Sequence, residues 1–344
     1  MARRRIEEID ILMGICMIVV ALGHSFPTLT SSDVGTPFYY LYRAIHASVL
    51  PLFFFLSGVV ASRILDCTTA KDKVENVKKR AVRLMVPYFC WGILFIPLKV
   101  VFARFARHEF SFSELYTIFL GNNPCGQLWC LYTMFLLSVS AVLFATRKSI
   151  KFLLPVTLVI AVFSSFITLR FEGITWMNVA FLSFFYYLGL FISTRVEEFI
   201  KSIRLWAFLL SCAVYAVGLC VICAYFRSGF IYGILRLIIS LAGICIGFYI
   251  SKLIYRFAGE SKLKAVLSEF GRYSMDIYVL HSPIGVVLRT VLIGVLSFNR
   301  LAYSAVYIPV CVVGSYLISR FIVRKIPIFA LLFLGIPKKK VDQK

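Results

Sequence analysis

Residues 3–29 read RRRIEEIDILMGICMIVVALGHSFPTL, in which three arginines precede an apolar stretch that runs from about Ile9 to Leu29. A helix crosses the ~30 Å hydrocarbon layer of a bilayer with about 20 residues, so this stretch is long enough to span a membrane. A cleaved signal peptide also begins with basic residues and an apolar run. This run, however, carries Asp10 and His24 and lacks a small-x-small cleavage site near its end. We therefore expect it to be a retained first transmembrane helix.

Nine more apolar segments follow the first. The ten lie at approximately 9–29, 41–64, 84–104, 127–145, 152–169, 177–194, 205–226, 230–251, 273–296 and 303–319. Hydrophobic residues make up 60% of the 344 residues and charged residues 15%, and the mean hydropathy is +0.89, which is too apolar for a soluble fold of this size. Composition and segment length predict an all-α polytopic integral membrane protein of about ten transmembrane helices. We expect residues 1–344 to form a single membrane-embedded domain.

The 37 Lys and Arg residues are distributed unevenly between the connections that join these segments. When alternate connections are assigned to opposite sides, 28 of these cations fall on one side, together with both termini. Five fall on the other side, namely Arg104, Arg107, Arg170, Arg227 and Arg300. Cytosolic loops of membrane proteins carry the excess of positive charge, so both termini are predicted to be cytosolic.

The net charge of +21 does not indicate a nucleic-acid partner. The cations lie in short connections that flank apolar spans, and they form no basic stripe interleaved with aromatic residues on a soluble face. The charge is accounted for by membrane topology. We expect the lipid bilayer as the first partner of this chain.

Two segments outside the ten spans are expected at the membrane surface. Residues 252–272 predict an amphipathic surface helix, in which apolar side chains are spaced among charged ones. These apolar residues are Phe257, Leu263, Val266, Leu267 and Phe270. The apolar piece 326–336 is too short to span and is bounded by prolines, so we predict that 326–344 is an interfacial or re-entrant segment followed by a basic tail.

The cysteines do not indicate a metal or redox centre. Most of the ten lie inside apolar spans, where cysteine packs as a small apolar residue. Cys220-x-x-Cys223 lies within a span and has no second pair to complete a metal site. We expect no bound metal.

Three histidines lie inside predicted spans. Ionisable side chains at this depth are costly to insert, so they are expected to face a cavity or a partner. His24 is in the outer third of the first span, and His46 is at a similar depth in the second. Arg43 and His46 are three residues apart and share a helix face. His24, Arg43 and His46 are therefore predicted to meet at one level, whereas His281 lies near mid-membrane.

Four cations also lie inside spans, all in the outer half of the membrane by the same count: Arg43, Lys99, Arg236 and Arg289. Each alone can extend its charged end to the outer headgroups. Four such cations on four spans, with almost no acid available, favour an outward-open cavity for an anionic ligand. Both interpretations are compatible with the sequence.

Five sets of residues form an ordered series of motifs along the chain. They are IDILMG with VALGHS at 9–14 and 20–25, PLFFFLSG at 51–58, KRAVRLMVPY at 79–88, QLWCL at 127–131, and SMDIYVLHSP at 274–283. Together they resemble the acyltransferase 3 family of membrane-bound O-acyltransferases, which includes glycan and nodulation-type O-acetyltransferases. The resemblance covers residues 9 to about 320 and implies a ten-span core, in agreement with the charge pattern.

The resemblance implies an enzyme of the cell (inner or plasma) membrane. It would transfer an acyl group, most often acetyl, from cytosolic acyl-CoA to a hydroxyl of a surface glycan or lipid-linked sugar. Acyl-CoA would act as a co-substrate, and no bound cofactor is implied. The intramembrane cations suit an anionic acceptor of this class.

The resemblance also assigns roles to individual residues. His24 becomes the candidate general base, since neutral imidazole can accept the proton of an attacking hydroxyl near pH 7. Arg80 and Arg83 become candidates for donor binding or loop positioning, with Lys79 assisting, because Arg pairs well with the phosphates of coenzyme A. The alternative interpretation is that their charge only orients the span. The predicted acceptor cavity contains Arg43, His46, Arg236, Arg289, Trp129 and His281.

Two positions depart from the family pattern. The family usually carries Arg or Lys eleven residues before the histidine of the first span, where this chain has Met13. Eleven residues return a helix to within about 20° of the same face, so the usual cation would share the cavity face with His24. The family's histidine in the second span is also displaced, since His46 lies five residues before Pro51.

Two other classes of function fit parts of the pattern. A transporter or exporter of a glycan intermediate would also use a basic outer cavity, although spans 1–5 and 6–10 lack the internal similarity of transporter repeats. An inactive accessory subunit of a glycan-assembly complex is the third interpretation, and Met13 favours it.

Overall fold

The computed structural model describes residues 5–26, 33–101, 112–167, 170–171, 174–226 and 228–338. In these ranges there are fifteen α-helices. They are α1 (Glu7–Ser25), α2 (Pro37–Val60), α3 (Ala70–Arg80), α4 (Val86–Val101), α5 (Trp129–Phe144), α6 (Ile150–Phe163), α7 (Trp176–Ile192), α8 (Val196–Ser202), α9 (Leu205–Tyr225), α10 (Phe230–Phe257), α11 (Lys262–Arg272), α12 (Ser274–Arg289), α13 (Arg300–Pro309), α14 (Ser315–Phe321) and α15 (Pro327–Leu334).

Short π-helical and 3₁₀ segments extend or join these helices. The π-helical segments are Ala81–Met85, Thr290–Val295 and Val310–Gly314, and the 3₁₀ segments are Ser62–Asp66, Phe112–Leu120, Gly126–Leu128, Ser164–Phe166, Ser193–Arg195 and Val323–Lys325. A minimal antiparallel pair, β1 (Arg170–Phe171) and β2 (Ile174–Thr175), aligns Arg170 with Thr175.

The predicted fold class is confirmed. Nine helical stretches in the described part of the chain are long and apolar enough to cross a membrane: Glu7–Ser25, Pro37–Val60, Ala70–Val101, Gly126–Phe144, Asn178–Ser202, Leu205–Tyr225, Phe230–Phe257, Ser274–Val295 and Arg300–Lys325. The fifth predicted span, 152–169, corresponds to a shorter apolar helix, Ile150–Phe166. The cytosolic location of both termini stays a prediction.

Some residues used in the charge argument lie outside the described residues. These are Arg3, Arg4, Arg104, Arg107, Arg227 and the end of the basic tail, 339–344.

The chain forms two compact units. The first consists of Met1–Asp66, Phe144–Leu169 and Trp176–Ser274, and the second of Cys67–Leu143, Arg170–Thr175 and Met275–Lys344. The first therefore contains α1, α2 and α6–α11, and the second contains α3, α4, β1, β2 and α13–α15, with all of α5 except Phe144 and all of α12 except Ser274. That the whole chain functions as one domain stays a prediction.

In the first unit, α11 packs directly on α1. Gly14 lies against the backbone of Leu267, and Gly271 lies against the backbone of Asp10, because neither glycine has a Cβ to hold the helices apart. Ion pairs reinforce the contact: Lys264 Nζ of α11 lies 3.2 Å from Glu7 Oε2 of α1, and Arg272 Nε of α11 lies 3.8 Å from Asp10 Oδ2 of α1. The hydrogen bond to Glu7 raises the pKa of Lys264.

The predicted amphipathic segment 252–272 therefore divides into two parts. Phe257 ends α10, because that helix continues six residues beyond its predicted end at 251. In α11, Leu267 and Phe270 are buried, whereas Leu263 and Val266 are exposed. The apolar face of α11 thus contributes to protein packing as well as to the exposed surface.

In the second unit, the predicted interfacial segment 326–336 contains α15. Pro327 is the first residue of this helix, where a missing N–H costs little, and Gly335 ends it in the left-handed region with φ +63°. Trp91 Nε1 of α4 donates to the carbonyl of Phe333 at 3.3 Å, and the two rings lie 5.1 Å apart. The segment therefore packs against α4 and is hydrogen-bonded to it.

We predict that Gly58→Ala destabilises the protein. A Cβ at Gly58 would overlap the carbonyl oxygen of Tyr186 and lie 3.0 Å from the Leu190 backbone nitrogen, so α2 and α7 would have to separate. Such overpacking costs about 1–3 kcal/mol, against a gain of about 1 kcal/mol in helix propensity. Thermal unfolding of the purified chain in detergent would measure the loss.

Gly126→Ala is the matched control, since its Cβ would meet nothing within 4 Å. Equal melting temperatures for the two variants would contradict close α2–α7 packing.

Candidate functional site

The first unit brings predicted site residues together around the end of α1. His24 lies in the last turn of α1 and is half-buried. The preceding residue, Gly23, lies against α2: a Cβ built on it would be 3.0 Å from Ile45 Cγ2 and 3.5 Å from His46 Cε1. The imidazole of His46 is therefore beside the turn that carries His24.

His46 has a defined orientation. Its Nδ1 lies 2.9 Å from the carbonyl oxygen of Tyr42, and its ring is tilted by 30° over the Tyr42 ring with 4.0 Å between centroids. A carbonyl can only accept, so Nδ1 carries the proton in the neutral ring and Nε2 retains the basic lone pair. The second histidine at this end of the unit thus presents a proton-accepting nitrogen.

Arg43 lies one helical turn before His46 and is paired with neutral groups. Its side chain hydrogen-bonds to the thiol of Cys223 in α9 and is within electrostatic range of Tyr232 in α10. Arg43 and Arg236 are also close enough for their charges to repel. The two arginines therefore form a cationic pair within the first unit.

Arg236 is held inside the unit by polar and aromatic contacts. Its Cζ lies 3.7 Å from the centroid of the Phe181 ring, and its Nη2 donates to Asn178 Oδ1 at 3.3 Å. Its Nη1 is buried and has no hydrogen-bond partner in the described part of the chain. A buried donor left without a partner costs about 1–3 kcal/mol, so this position is suited to an anionic or hydroxyl-bearing ligand.

Met13 occupies the position where the family usually has a cation. Ser274 Oγ lies 3.8 Å from the Met13 sulfur. One turn away, Arg272 Nε lies 3.8 Å from Asp10 Oδ2. The neutral thioether is therefore packed in the first unit close to a charged pair.

The second unit contains a pocket of ≈ 410 Å³ beside the predicted donor residues. Its lining consists of Glu75, Lys78, Lys79, Val82, Arg83, Gly335, Ile336 and Pro337. Residues 75, 78, 79, 82 and 83 follow the i, i+3, i+4, i+7, i+8 spacing of one helix face, which explains why they line it together. Lys79 and Arg83 are thus brought to one pocket.

Arg80 does not line this pocket. It follows Lys79 by 100° around the helix and therefore points away from the shared face. Its Nε is buried, with no hydrogen-bond partner among the described residues. The two arginines predicted to act together occupy different surroundings.

Arg83 belongs to a buried ionic cluster. Its Nη2 lies 3.2 Å from Asp276 Oδ1, and its Nη1 donates to the carbonyl of Leu334. Asp276 is fully buried and also accepts from Ser319 Oγ at 2.7 Å and from Arg324 Nη2 at 2.6 Å. One carboxylate is therefore shared by two guanidinium groups.

The remaining predicted cavity residues also belong to the second unit. Trp129 is half-buried at the start of α5, His281 is buried in α12, and Arg289 is the half-buried last residue of α12. His281 Nδ1 lies 2.5 Å from the carbonyl oxygen of Tyr278, which makes Nδ1 the donor of the neutral ring. The six predicted cavity residues are thus divided between the units, with Arg43, His46 and Arg236 in the first.

Sequence reasoning missed several residues of these sites. One of them is Asp276: an acid at the end of an apolar span is itself a signal for a buried ion pair. The sequence gives no such signal for three other residues, because their roles depend on contacts with distant parts of the chain. These are Asn178 and Phe181, which contact Arg236, and Gly335, which contacts Val82 and Arg83.

Comparison with known proteins identifies a family for this chain. Residues 6–320 of the 344 match the sequence model of a family described as an acyltransferase domain. No curated protein and no solved structure matches the chain. The match confirms the resemblance carried by the five motifs and extends through both compact units.

We predict that Asp276→Asn destabilises the protein far more than Asp66→Asn. Both acids pair with arginine, but Asp276 is fully buried, whereas the side chains of Asp66 and Arg147 are 54% and 62% exposed. Breaking a fully buried pair costs about 3–5 kcal/mol, and an exposed pair is worth about 0–1 kcal/mol. The side chains of Arg83 and Arg324 are 35% and 34% exposed, so we expect the loss for Asp276→Asn to lie between these two ranges. Thermal unfolding of the two variants would measure the difference, and similar losses would contradict this account of the cluster.

Proposed function

Because the chain belongs to the acyltransferase 3 family of membrane acyltransferases, we propose that it transfers an acyl group, preferably acetyl, from cytosolic acyl-CoA to a hydroxyl of a glycan or lipid-linked sugar. The match over residues 6–320 is the observation that carries the proposal. That match and the apolar helices already make the chain a multi-pass membrane protein with an acyltransferase domain.

His24 is the proposed general base. A neutral imidazole nitrogen takes the hydroxyl proton as the acceptor oxygen attacks the carbonyl carbon of the thioester. The tetrahedral intermediate then collapses, the carbon–sulfur bond breaks, and the coenzyme A thiolate takes up the proton from the imidazolium. The products are the acyl ester and free coenzyme A, and the histidine is returned to its neutral form.

The position of His46 supports this assignment of His24. A second imidazole beside the same turn of α1, with its Nε2 unprotonated, can hold the acceptor hydroxyl or receive its proton. Two neutral imidazoles at one level suit a reaction in which a proton leaves and returns within one turnover. His24 remains the proposed base, with His46 as its neighbour in the acceptor site.

Arg43 and Arg236 suit an anionic acceptor. They are neighbouring cations, and the contacts described for them are with a thiol, an amide and aromatic rings. A carboxylate or phosphate on the acceptor would supply the missing negative charge through charge-assisted hydrogen bonds. This arrangement favours a lipid-linked or acidic glycan over a neutral sugar.

Donor binding is proposed for the pocket of the second unit. Three cations, Lys78, Lys79 and Arg83, line it, and coenzyme A carries phosphates that a cation of the lining can bind. Arg80 is outside the lining, so its proposed contribution is limited to the surroundings of the pocket.

His24→Ala and His24→Gln should both lower the turnover number by about 10²–10⁴-fold, the usual contribution of a general base. Glutamine retains size and hydrogen-bonding capacity but accepts no proton at neutral pH, so it separates base catalysis from packing. Transfer of labelled acetyl from acetyl-CoA to membrane lipid extract would measure the rate. Unchanged thermal stability would serve as the folding control.

Near-normal turnover in His24→Gln would remove the base assignment. Absence of transfer by the parent chain, combined with retained glycan binding, would favour the transporter or accessory-subunit interpretation.

Arg43→Gln and Arg236→Gln should each raise the KM for the acceptor about tenfold or more, since a charge-assisted hydrogen bond contributes about 1.5–3 kcal/mol. The KM for acetyl-CoA should stay within about twofold if donor and acceptor bind separately. Arg256→Gln, at the other end of α10, is the matched control. Equal effects of all three substitutions on acceptor KM would contradict the proposed acceptor site.

A further inference from the structure

The pocket of the second unit has two walls from distant parts of the sequence. One wall is the face of α3 and the following π-helical segment, and the other consists of Gly335, Ile336 and Pro337, just beyond α15. The family match ends at residue 320, so the second wall lies outside it. The pocket therefore depends on a C-terminal segment that the family relationship does not explain.

The second wall is held in place by specific contacts. Arg83 donates to the carbonyl of Leu334, the last residue of α15, while its other nitrogen binds Asp276. Arg324, just before α15, donates its Nε to the same carboxylate at 2.7 Å. Asp276 thus fixes both the start of the C-terminal segment and the arginine that caps its helix.

Gly335 brings the two walls into backbone contact. A Cβ at this position would overlap the carbonyl oxygen of Val82 and lie 2.6 Å from that of Arg83. Its φ of +63° also favours glycine. No other residue fits here without displacement of the wall.

The lining combines apolar surface with positive charge. Val82, Ile336 and Pro337 supply the apolar part, and three cations face one acid. Of the cations, Arg83 is bound to Asp276, and Lys79 is paired with Glu75 at 2.7 Å. Lys78 is exposed and forms no ion pair with any described residue. It is the cation best placed to receive a new anion.

We infer that the C-terminal segment Pro327–Pro337 is part of the donor site, and that Lys78 binds a phosphate of the coenzyme A nucleotide against the apolar wall made by Ile336 and Pro337. The inference rests on the proposed function and deepens it. A pocket of ≈ 410 Å³ lies in the usual size range of small-molecule sites, about 300–1,000 Å³, and suits a nucleotide-sized group. Arg83 acts here as a positioning residue, because it holds the wall and its charge is already engaged.

The test measures equilibrium binding of coenzyme A to the full chain in phosphatidylcholine nanodiscs. Lys78→Gln should weaken binding about tenfold, as expected for loss of one charge-assisted hydrogen bond. Lys71→Gln, on the same helix but outside the pocket, is the control and should bind like the parent.

A second pair of variants tests the wall. Gly335→Ala should weaken coenzyme A binding at least as much as Lys78→Gln, because its Cβ displaces residues 335–337. Gly259→Ala is the matched control: its φ of +50° imposes similar backbone strain, but its Cβ would meet nothing within 4 Å. Lys78→Gln keeps the inference testable if Gly335→Ala fails to fold.

The outcomes separate this inference from the proposed function. If the parent does not bind coenzyme A, the proposed donor is wrong and the inference falls with it. If the parent binds and Lys78→Gln binds equally well, only the inference is overturned. If phosphatidylglycerol added to the nanodiscs weakens binding by the parent but not by Lys78→Gln, Lys78 serves a lipid phosphate, which also overturns it.

Discussion

The cost of an uncompensated charge in an apolar environment is the constraint on which this structure depends. Moving an ion out of water costs several kcal/mol even after relaxation, so each buried charge needs a partner. Most cations of this chain avoid the cost by lying in connections between spans. Arg83 and Arg324, which lie beside span ends, and Arg236, which lies inside a span, mark the places where the fold or its ligand supplies compensation.

In the second unit the charges of two arginines are compensated by an acidic residue of the same unit. The carboxylate of Asp276 is shared by Arg83 and Arg324, and the carbonyl of Leu334 accepts a further hydrogen bond from Arg83. One buried acid thereby ties α12 to the segment before α4 and to α15. Arg83, which the family resemblance assigns to donor binding, is therefore held by contacts within the fold, and it also lines the pocket.

In the first unit the compensation within the described residues is incomplete. Arg236 has an aromatic face and an amide, and Arg43 has a thiol, yet the two guanidinium groups also repel each other. In the second unit two cations share one acid, whereas the contacts of Arg43 and Arg236 among the described residues are with neutral groups. A site of this kind is most stable when an anion is bound, which is the reason that the acceptor proposal centres on these arginines.

The sequence by itself determined the helical membrane class, because apolar segment lengths reflect bilayer thickness and charge position reflects insertion. It also predicted that His24 and His46 lie at one level, since depth along a span can be counted at a fixed rise per residue. It did not predict that α10 continues to Phe257, because element ends depend on what a helix packs against. It also did not predict that Arg80 lies off the pocket face, because the segment that packs opposite a helix decides which of its faces lines a pocket.

Only the tertiary structure decided which distant residues meet. Asp276 and Arg83 are separated by 193 residues, and no local period relates them. The contact of Gly335 with Val82 and Arg83 likewise depends on two backbone segments that lie too close together for a Cβ to fit between them. Periodicity and charge balance act along a single chain segment, whereas ion pairing and close packing depend on distances between segments, and those distances exist only once the helices have packed.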